Sequence, residues 1–268
     1  VTPPPGIIGI DVSDHQNPDR VSWVHLAPAF MFARAAFGVG PDPTFVRHVA
    51  RARSNSVPLV GAYHALRPLR GVQAQVDVMM RQLDAAGGCG IIPAADVEKT
   101  DGFEAERVAD MALRYVEQIE ARTLLRCVFY TYPFFVKGPP LVPLSPELAT
   151  RPLWIAHYPK PGGTLKGPTV PPPWDDWTIW QYDGDKGQRD PTGMDLDFNV
   201  YRGTVEELRA LLLRPLTSKC AETPNGCERA RPRRRSRSWP TVSSGKQGGF
   251  GGAVLIRGRR PHPPRRYH

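Results

Sequence analysis

The sequence predicts an α/β protein, an irregular, helix-poor (β/α) barrel of the TIM type followed by a disordered basic tail. Three observations predict it. Short apolar, β-branched runs alternate with segments of helical period through residue 213, the pattern of a parallel sheet with crossover helices. About eight such runs fit in that length, the number that closes a barrel. Pro and Gly crowd residues 132–203, which leaves little room for helices in the second half.

The expected strands are Ile7–Val12, Phe30–Ala36, Val57–Tyr63, Ile91–Val97, Cys127–Thr131, Leu153–His157, Trp177–Gln181 and Leu196–Asn199. Between them, Phe45–Ala52 and Val72–Leu83 repeat apolar residues at i, i+3 and i+4 and read as amphipathic helices. In Glu104–Ala121, the strongest helix, Val108, Met111, Ala112, Tyr115, Val116 and Ile119 fall on one face. Glu206–Leu213 closes the series, so residues 1–213 are expected to form one catalytic domain. Beyond it, apart from Ala253–Ile256, apolar periodicity is lost. RPRRRSR at 231–237, a Gly-rich patch at 245–252 and a terminal RRPHPPRRYH mark 214–268 as a tail.

Charge and composition exclude several functions. The 268 residues carry +9, but 214–268 hold 14 Lys+Arg against two Asp+Glu. The tail is thus +12 and the first 213 residues are −3, so no specific nucleic-acid partner is expected of the folded part. No run approaches the roughly 20 apolar residues that cross a bilayer, and no membrane insertion is expected. VTPPPG at the start lacks a basic stretch followed by an apolar one, so no export signal is visible there. No phosphate loop, serine elbow or zinc spacing is present, and neither cofactor nor metal is expected. His15, His64 and His157 are scattered and read as cleft or core residues. Cys89 and Cys127 each precede an apolar run. Buried free thiols are their expected state, with a bridge between neighbouring strands as the alternative.

The chemistry lies in acids at strand ends. In Ile91-Ile-Pro-Ala-Ala-Asp96-Val-Glu98, residues i and i+2 of a strand put Asp96 and Glu98 on one face. Ile7-Ile-Gly-Ile-Asp11 ends the first strand in an acid, and Asp195-Leu-Asp197-Phe-Asn199 puts another on the last. A lone acid of this kind reads as a helix cap or loop anchor. Three strands delivering acid to the C-terminal rim of a parallel barrel, with first and last strands adjacent, read as a catalytic site. Paired carboxylates suit glycoside cleavage, where one holds a proton for the leaving oxygen and another stays ionised beside the anomeric carbon. Tyr63, Tyr130, Tyr132, Trp154, Tyr158, Trp180 and Tyr182 supply aromatics for a sugar cleft, although core packing is the usual role of each singly.

With these residues in hand, the chain from Gly6 to about Leu213 resembles glycoside hydrolase family 25, the Chalaropsis-type lysozymes. The matching motifs begin with Gly9-Ile-Asp11-Val-Ser-Asp-His-Gln16 followed by Trp23, and Phe32-Ala-Arg34-Ala-Ala-Phe-Gly38. Gly61-Ala-Tyr63-His64, Pro93-Ala-Ala-Asp96-Val-Glu98 and Val128-Phe-Tyr130-Thr131 come next. Leu153-Trp-Ile-Ala-His-Tyr158, Trp177-Thr-Ile-Trp-Gln-Tyr182 and Asp197-Phe-Asn199-Val-Tyr-Arg-Gly203 complete them in family order. Two positions depart from the common pattern: Ala95 stands where a bulkier apolar residue is usual, and Phe37 where a polar one is frequent.

The resemblance implies a lysozyme, an N-acetylmuramidase cutting the β-1,4 bond from N-acetylmuramic acid to N-acetylglucosamine. It implies Glu98 as general acid, with Asp96 assisting and Asp11 and Asp197 completing the acidic cluster. Tyr63, Arg34, Tyr130, Trp154 and Gln181 are implied to contact sugar or support the carboxylates. The partner is then the glycan strand of peptidoglycan, and the place of action the cell wall, reached by secretion or by phage-driven lysis. The basic tail is read either as an extension without a separate role or as an anchor for anionic wall polymers. A barrel that binds peptidoglycan without cutting it is the alternative function. Strand geometry sets the Asp96 and Glu98 Cα atoms about 6.5–7 Å apart. That separation is compatible with both retention and inversion. Retention through the substrate's acetamido oxygen, polarised by Asp96, is the working hypothesis.

Overall fold

The computed structural model describes residues 4–133, 135, 146–158, 167–184, 190 and 192–213. Every expected strand forms, with ends displaced by at most two residues. In chain order they are β1 (Ile7–Val12), β2 (Phe30–Phe37), β3 (Gly40–Pro41), β4 (Leu59–Ala65), β5 (Ile92–Asp96), β6 (Val128–Thr131), β7 (Leu153–Ala156), β8 (Ile179–Asp183) and β9 (Asp197–Tyr201). The helices are α1 (Trp23–Leu26), α2 (Phe45–Ser54), α3 (Val72–Ala85), α4 (Ala105–Thr123) and α5 (Val205–Leu212).

Eight strands close a barrel in the order β1-β9-β8-β7-β6-β5-β4-β2, with β2 returning to pair with β1. The short β3 folds back on β2 as a hairpin at the rim. Seven barrel strands run parallel, but β9 is antiparallel to both β1 and β8. This corrects the expectation of a parallel ring. The segment entering β9, DGDKGQRDPTGM at 183–194, has no helical period in its sequence, and an antiparallel neighbour needs no crossover helix. The reversal has a chemical result: the first residue of β9, Asp197, stands at the rim where the parallel strands end.

Alternation divides the strand residues between two cores. Phe30, Phe32, Leu59, Ile92, Ala94, Val128, Trp154 and Ile179 fill the barrel. Gly9 and Gly61 make this possible, because a Cβ at either would overlap the ring of Phe30 or Phe32. Leu208 and Leu212 of α5 join the same cluster. Arg209 Nη2 donates to the carbonyl of Pro58, just before β4, at 2.9 Å. Helix α5 therefore seals the end opposite the acids. Its start is fixed by a reciprocal cap between Thr204 and Glu207.

Outward residues such as Ala33, Val60, Ala62, Ala95 and Phe129 pack under α2, α3 and α4. His64 belongs to this layer: Nδ1 meets Tyr115 Oη at 2.9 Å and Nε2 meets the Gly38 carbonyl at 2.7 Å. Cys127 is a buried free thiol behind α4, whereas Cys89 lies exposed after α3. The alternative of a Cys89–Cys127 bridge is thus corrected, because the Cys127 thiol is free. The buried free thiol expected of Cys89 is corrected as well, because Cys89 is exposed and disulfide-bonded. Among the described residues no helix is long and apolar enough to cross a membrane. The basic tail, 214–268, lies outside the described residues.

Candidate active site

Parity and strand direction together determine which side chains meet at the open rim. Asp11 ends the inward row of β1, Asp96 that of β5, and Glu98 follows two residues beyond. Asp197 opens β9 and stands opposite Asp11 in register. Asp11 and Asp96 are only 5% and 6% exposed. Burial pushes the Asp11 carboxyl well above the usual range, and Asp197 and then Glu98 add to the rise. Burial also pushes Asp96 well up, followed by Glu98 and Asp11, while Lys99 and Arg34 oppose the shift. All four sequence-predicted acids therefore share one electrostatic cluster.

The two buried acids are held differently. Asp11 Oδ2 accepts hydrogen bonds from Gln181 Nε2 and Asn199 Nδ2, each at 2.8 Å. Tyr130 and Tyr158 donate their hydroxyls to Gln181 Oε1 at 2.8 and 2.7 Å, and Trp154 Nε1 donates to Asn199 Oδ1 at 2.7 Å. Those donors leave each amide one orientation, nitrogen toward Asp11. Two charge-assisted bonds favour the ionised form of Asp11. By contrast, Asp96 Oδ1 is buried without a hydrogen-bond partner among the described residues. The chain leading to Glu98 is clamped on β6. The Val97 N–H donates to the Tyr130 carbonyl at 3.0 Å, and Thr131 Oγ1 donates to the Val97 carbonyl at 2.9 Å.

Tyr63 stands beside the acids, its ring edge-on to Trp154 at 6.1 Å. Burial first, and then Asp11, keep its phenol proton on well above the usual range. Arg34 donates from Nε to Asp42 Oδ2 at 2.9 Å and pairs with Asp14. Trp154 and Gln181 are 1% and 2% exposed and form the floor. Gln181 donates to Asp11, and Trp154 donates to the Asn199 that also bonds Asp11.

Sequence reasoning did not single out Asn199, Gly184 or Asp42 as parts of the site, and it named Tyr158 only among aromatics for a sugar cleft. Inward parity with Asp197 and Trp154 was the available signal for Asn199 and Tyr158. A Cβ on Gly184 would lie 2.7 Å from both Asp197 Oδ1 and Tyr158 Oη, so that glycine keeps the rim open. His157 anchors a loop, its Nδ1 accepting the Thr169 N–H at 2.8 Å. Among the described residues no three His, Cys, Asp or Glu side chains are arranged to hold a metal ion.

Residues 10–190 match the model of the family described as Glycosyl hydrolases family 25. The chain belongs to glycosyl hydrolase family 25. Its family-25 sequence is 30% identical over 216 residues to uncharacterized protein YegX of Escherichia coli K12, covering 77% of this chain and 73% of that one. It is 26% identical over 227 residues to Lysozyme M1 of Streptomyces globisporus, covering 77% and 71%. Among solved structures, a lysozyme from Streptomyces coelicolor is similar with a TM-score of 0.64 at 26% identity, over 77% of this chain and 96% of that one. A muramidase from Acremonium alcalophilum is similar with a TM-score of 0.60 at 26% identity, over 76% and 98%. The family-25 protein is accordingly a glycoside hydrolase of lysozyme type, built on the helix-poor barrel of its relatives.

Proposed function

We propose that this family-25 enzyme is an N-acetylmuramidase acting on peptidoglycan in the cell wall, with Glu98 as its general acid. The observation that carries the reading is the gathering of Asp11, Asp96, Glu98 and Asp197 at one rim, with two acids buried and one, Asp11, bonded twice as an acceptor. Glu98, less buried than Asp96, gives its proton to the oxygen leaving the anomeric carbon of N-acetylmuramic acid. As that bond breaks, the substrate's acetamido oxygen bonds to the anomeric carbon from the opposite face. The acetamido N–H is held by Asp96, whose Oδ1 is available as an acceptor. Water then opens the cyclic intermediate as Glu98 takes back a proton, and configuration is retained. Asp11 and Asp197 offset positive charge developing on the ring. The phenol of Tyr63, kept protonated by burial, offers a neutral donor beside it.

Reducing-end analysis of digested peptidoglycan tests the reading. N-acetylmuramic acid at the new end, first as the β-anomer, is expected. N-acetylglucosamine there overturns the bond assignment, and an initial α-anomer overturns retention. Glu98→Gln is expected to lower wall clearing by about 10³-fold, within the range for a lost general acid. Equal clearing by both proteins removes Glu98 from the role. For the tail, attraction of its +12 to anionic wall polymers is the proposed role. Truncation after Leu213 is then expected to slow lysis of intact walls at low salt and to leave cleavage of short glycans unchanged.

A further inference from the structure

The cross-strand row that holds Asp96 continues away from the acid cluster. Phe37 on β2 is in register with Ala65 on β4, Ala65 with Asp96 on β5, and Asp96 with Tyr130 on β6. Residues in register across a sheet share a face. Phe37 therefore lies on the cleft side, two strand spacings or about 10 Å from Asp96. Ala65, in register between them, adds no more than a methyl group to that face. Phe37 is 45% exposed, whereas Phe30 and Phe32 on the same strand are 1% exposed.

Loops of the same rim widen Phe37 into a ledge. The Arg67 guanidinium lies over its ring, 5.1 Å from the centroid. Arg67 Nε donates to Asp101 Oδ1 at 2.8 Å, and Asp101 Oδ2 accepts the Leu69 N–H at 3.0 Å. Leu69 is 61% and Val39 43% exposed. Arg67 is neutralised by Asp101. Arg70, next to that carboxylate, and Lys99, next to Glu98 in sequence, form no ion pair among the described residues. The ledge thus joins exposed apolar side chains to two cations outside any ion pair among the described residues, on a domain whose net charge is −3. A neutral sugar ring has no use for those cations; a short acidic peptide with small apolar side chains matches both halves.

We propose that the ledge of Phe37, Leu69, Arg70 and Lys99 binds the peptide stem borne by the substrate's muramic acid. The inference rests on the muramidase reading and deepens it. The stem leaves the sugar at the lactyl group, and three extended residues span about 10 Å, the distance from Asp96 to Phe37. Its apolar side chains cover Phe37 and Leu69, and its carboxylates meet Arg70 and Lys99.

The test compares glycan strands carrying their stems with the same strands stripped of peptide by an amidase. Arg70→Glu and Phe37→Ser both alter exposed side chains. Each is expected to raise KM on stem-bearing strands about five- to tenfold, the worth of a lost charge contact or apolar contact, with kcat unchanged. On stripped strands both variants should match wild type within about twofold, a difference well under 1.4 kcal/mol. Equal loss on both substrates makes the ledge a sugar subsite and overturns the proposal, as does no loss on either. Wild-type inactivity on both strands removes the muramidase reading and this inference with it.

Discussion

Asp11 and Asp197 stand directly opposite each other across the antiparallel pair of β1 and β9. Like charges in facing positions destabilise a sheet, and burial of Asp11 adds to the cost. The barrel accepts this arrangement only at its open rim, where Gln181 and Asn199 donate to Asp11. On the proposed mechanism, stability is given up there for chemistry.

Asp96→Asn should therefore stabilise the fold. The folded-state carboxyl of Asp96 is raised, so the native protein holds its proton more tightly than the unfolded chain. That contribution is fully present below the unfolded value near 4 and is lost as pH rises through the folded value. Calorimetry at pH 7 is expected to show the variant melting at least about 2 °C above wild type, with the gap closing toward pH 4. A variant that melts lower at pH 7 contradicts the burial argument.

Asn199→Leu removes one donor from Asp11 and the acceptor of Trp154 Nε1. An unsatisfied buried indole costs about 1–3 kcal/mol, readable by urea unfolding. The ionised form of Asp11 also loses support, so the acidic limb of the kcat/KM profile should move to higher pH. A purely structural Asn199 would lower stability and leave that limb in place.

Gly184→Ala places a methyl 2.7 Å from Asp197 Oδ1 and Tyr158 Oη. Both are ends of side chains, so the fold should adjust with a melting temperature near that of wild type. The acid must move, and turnover on glycan strands is expected to fall about 10²-fold, the scale of a displacement near 1 Å in a catalytic constellation. Unchanged turnover removes Asp197 from the reacting geometry.

His64 gives a pH dependence of opposite sign to that of Asp96. Burial lowers its folded-state value from 6.5 to about 4. Below pH 6.5 the unfolded chain takes up a proton that the native one refuses, so stability is lost as pH falls from 6.5 toward 4. The full effect is about 3 kcal/mol. His64→Asn should be less stable at pH 7, with its deficit shrinking toward pH 4. Parallel stability curves for the two proteins contradict a neutral core histidine.

Much of this site could be read from strand periodicity. Asp11, Asp96 and Glu98 end apolar runs with period two, and that pattern fixes both their face and their end of the barrel. Strand direction is not written locally in such a run, so the reversal of β9 escaped notice. The correct rim for Asp197 depends on it. Asn199 and Gln181 carry the same inward parity as core residues. Their role as donors emerges only when β1, β6 and β7 bring Asp11, Tyr130, Trp154 and, just past the end of β7, Tyr158 around them. The hairpin at Gly40–Pro41 is too short to leave a periodic signal.

The hydrogen bond from Asn199 to Asp11 links residues 188 positions apart, on the last and first strands of the barrel. A ribosome releases Asp11 long before Asn199. Until β9 emerges and inserts between β1 and β8, the nascent barrel has an open seam, and Asp11 lacks Asp197 and one of its two donors. Closure of so distant a pairing is slow and arrives late. A chain interrupted anywhere before residue 197 is consequently expected to be an inert one, with hydrolase activity awaiting completed synthesis of the barrel.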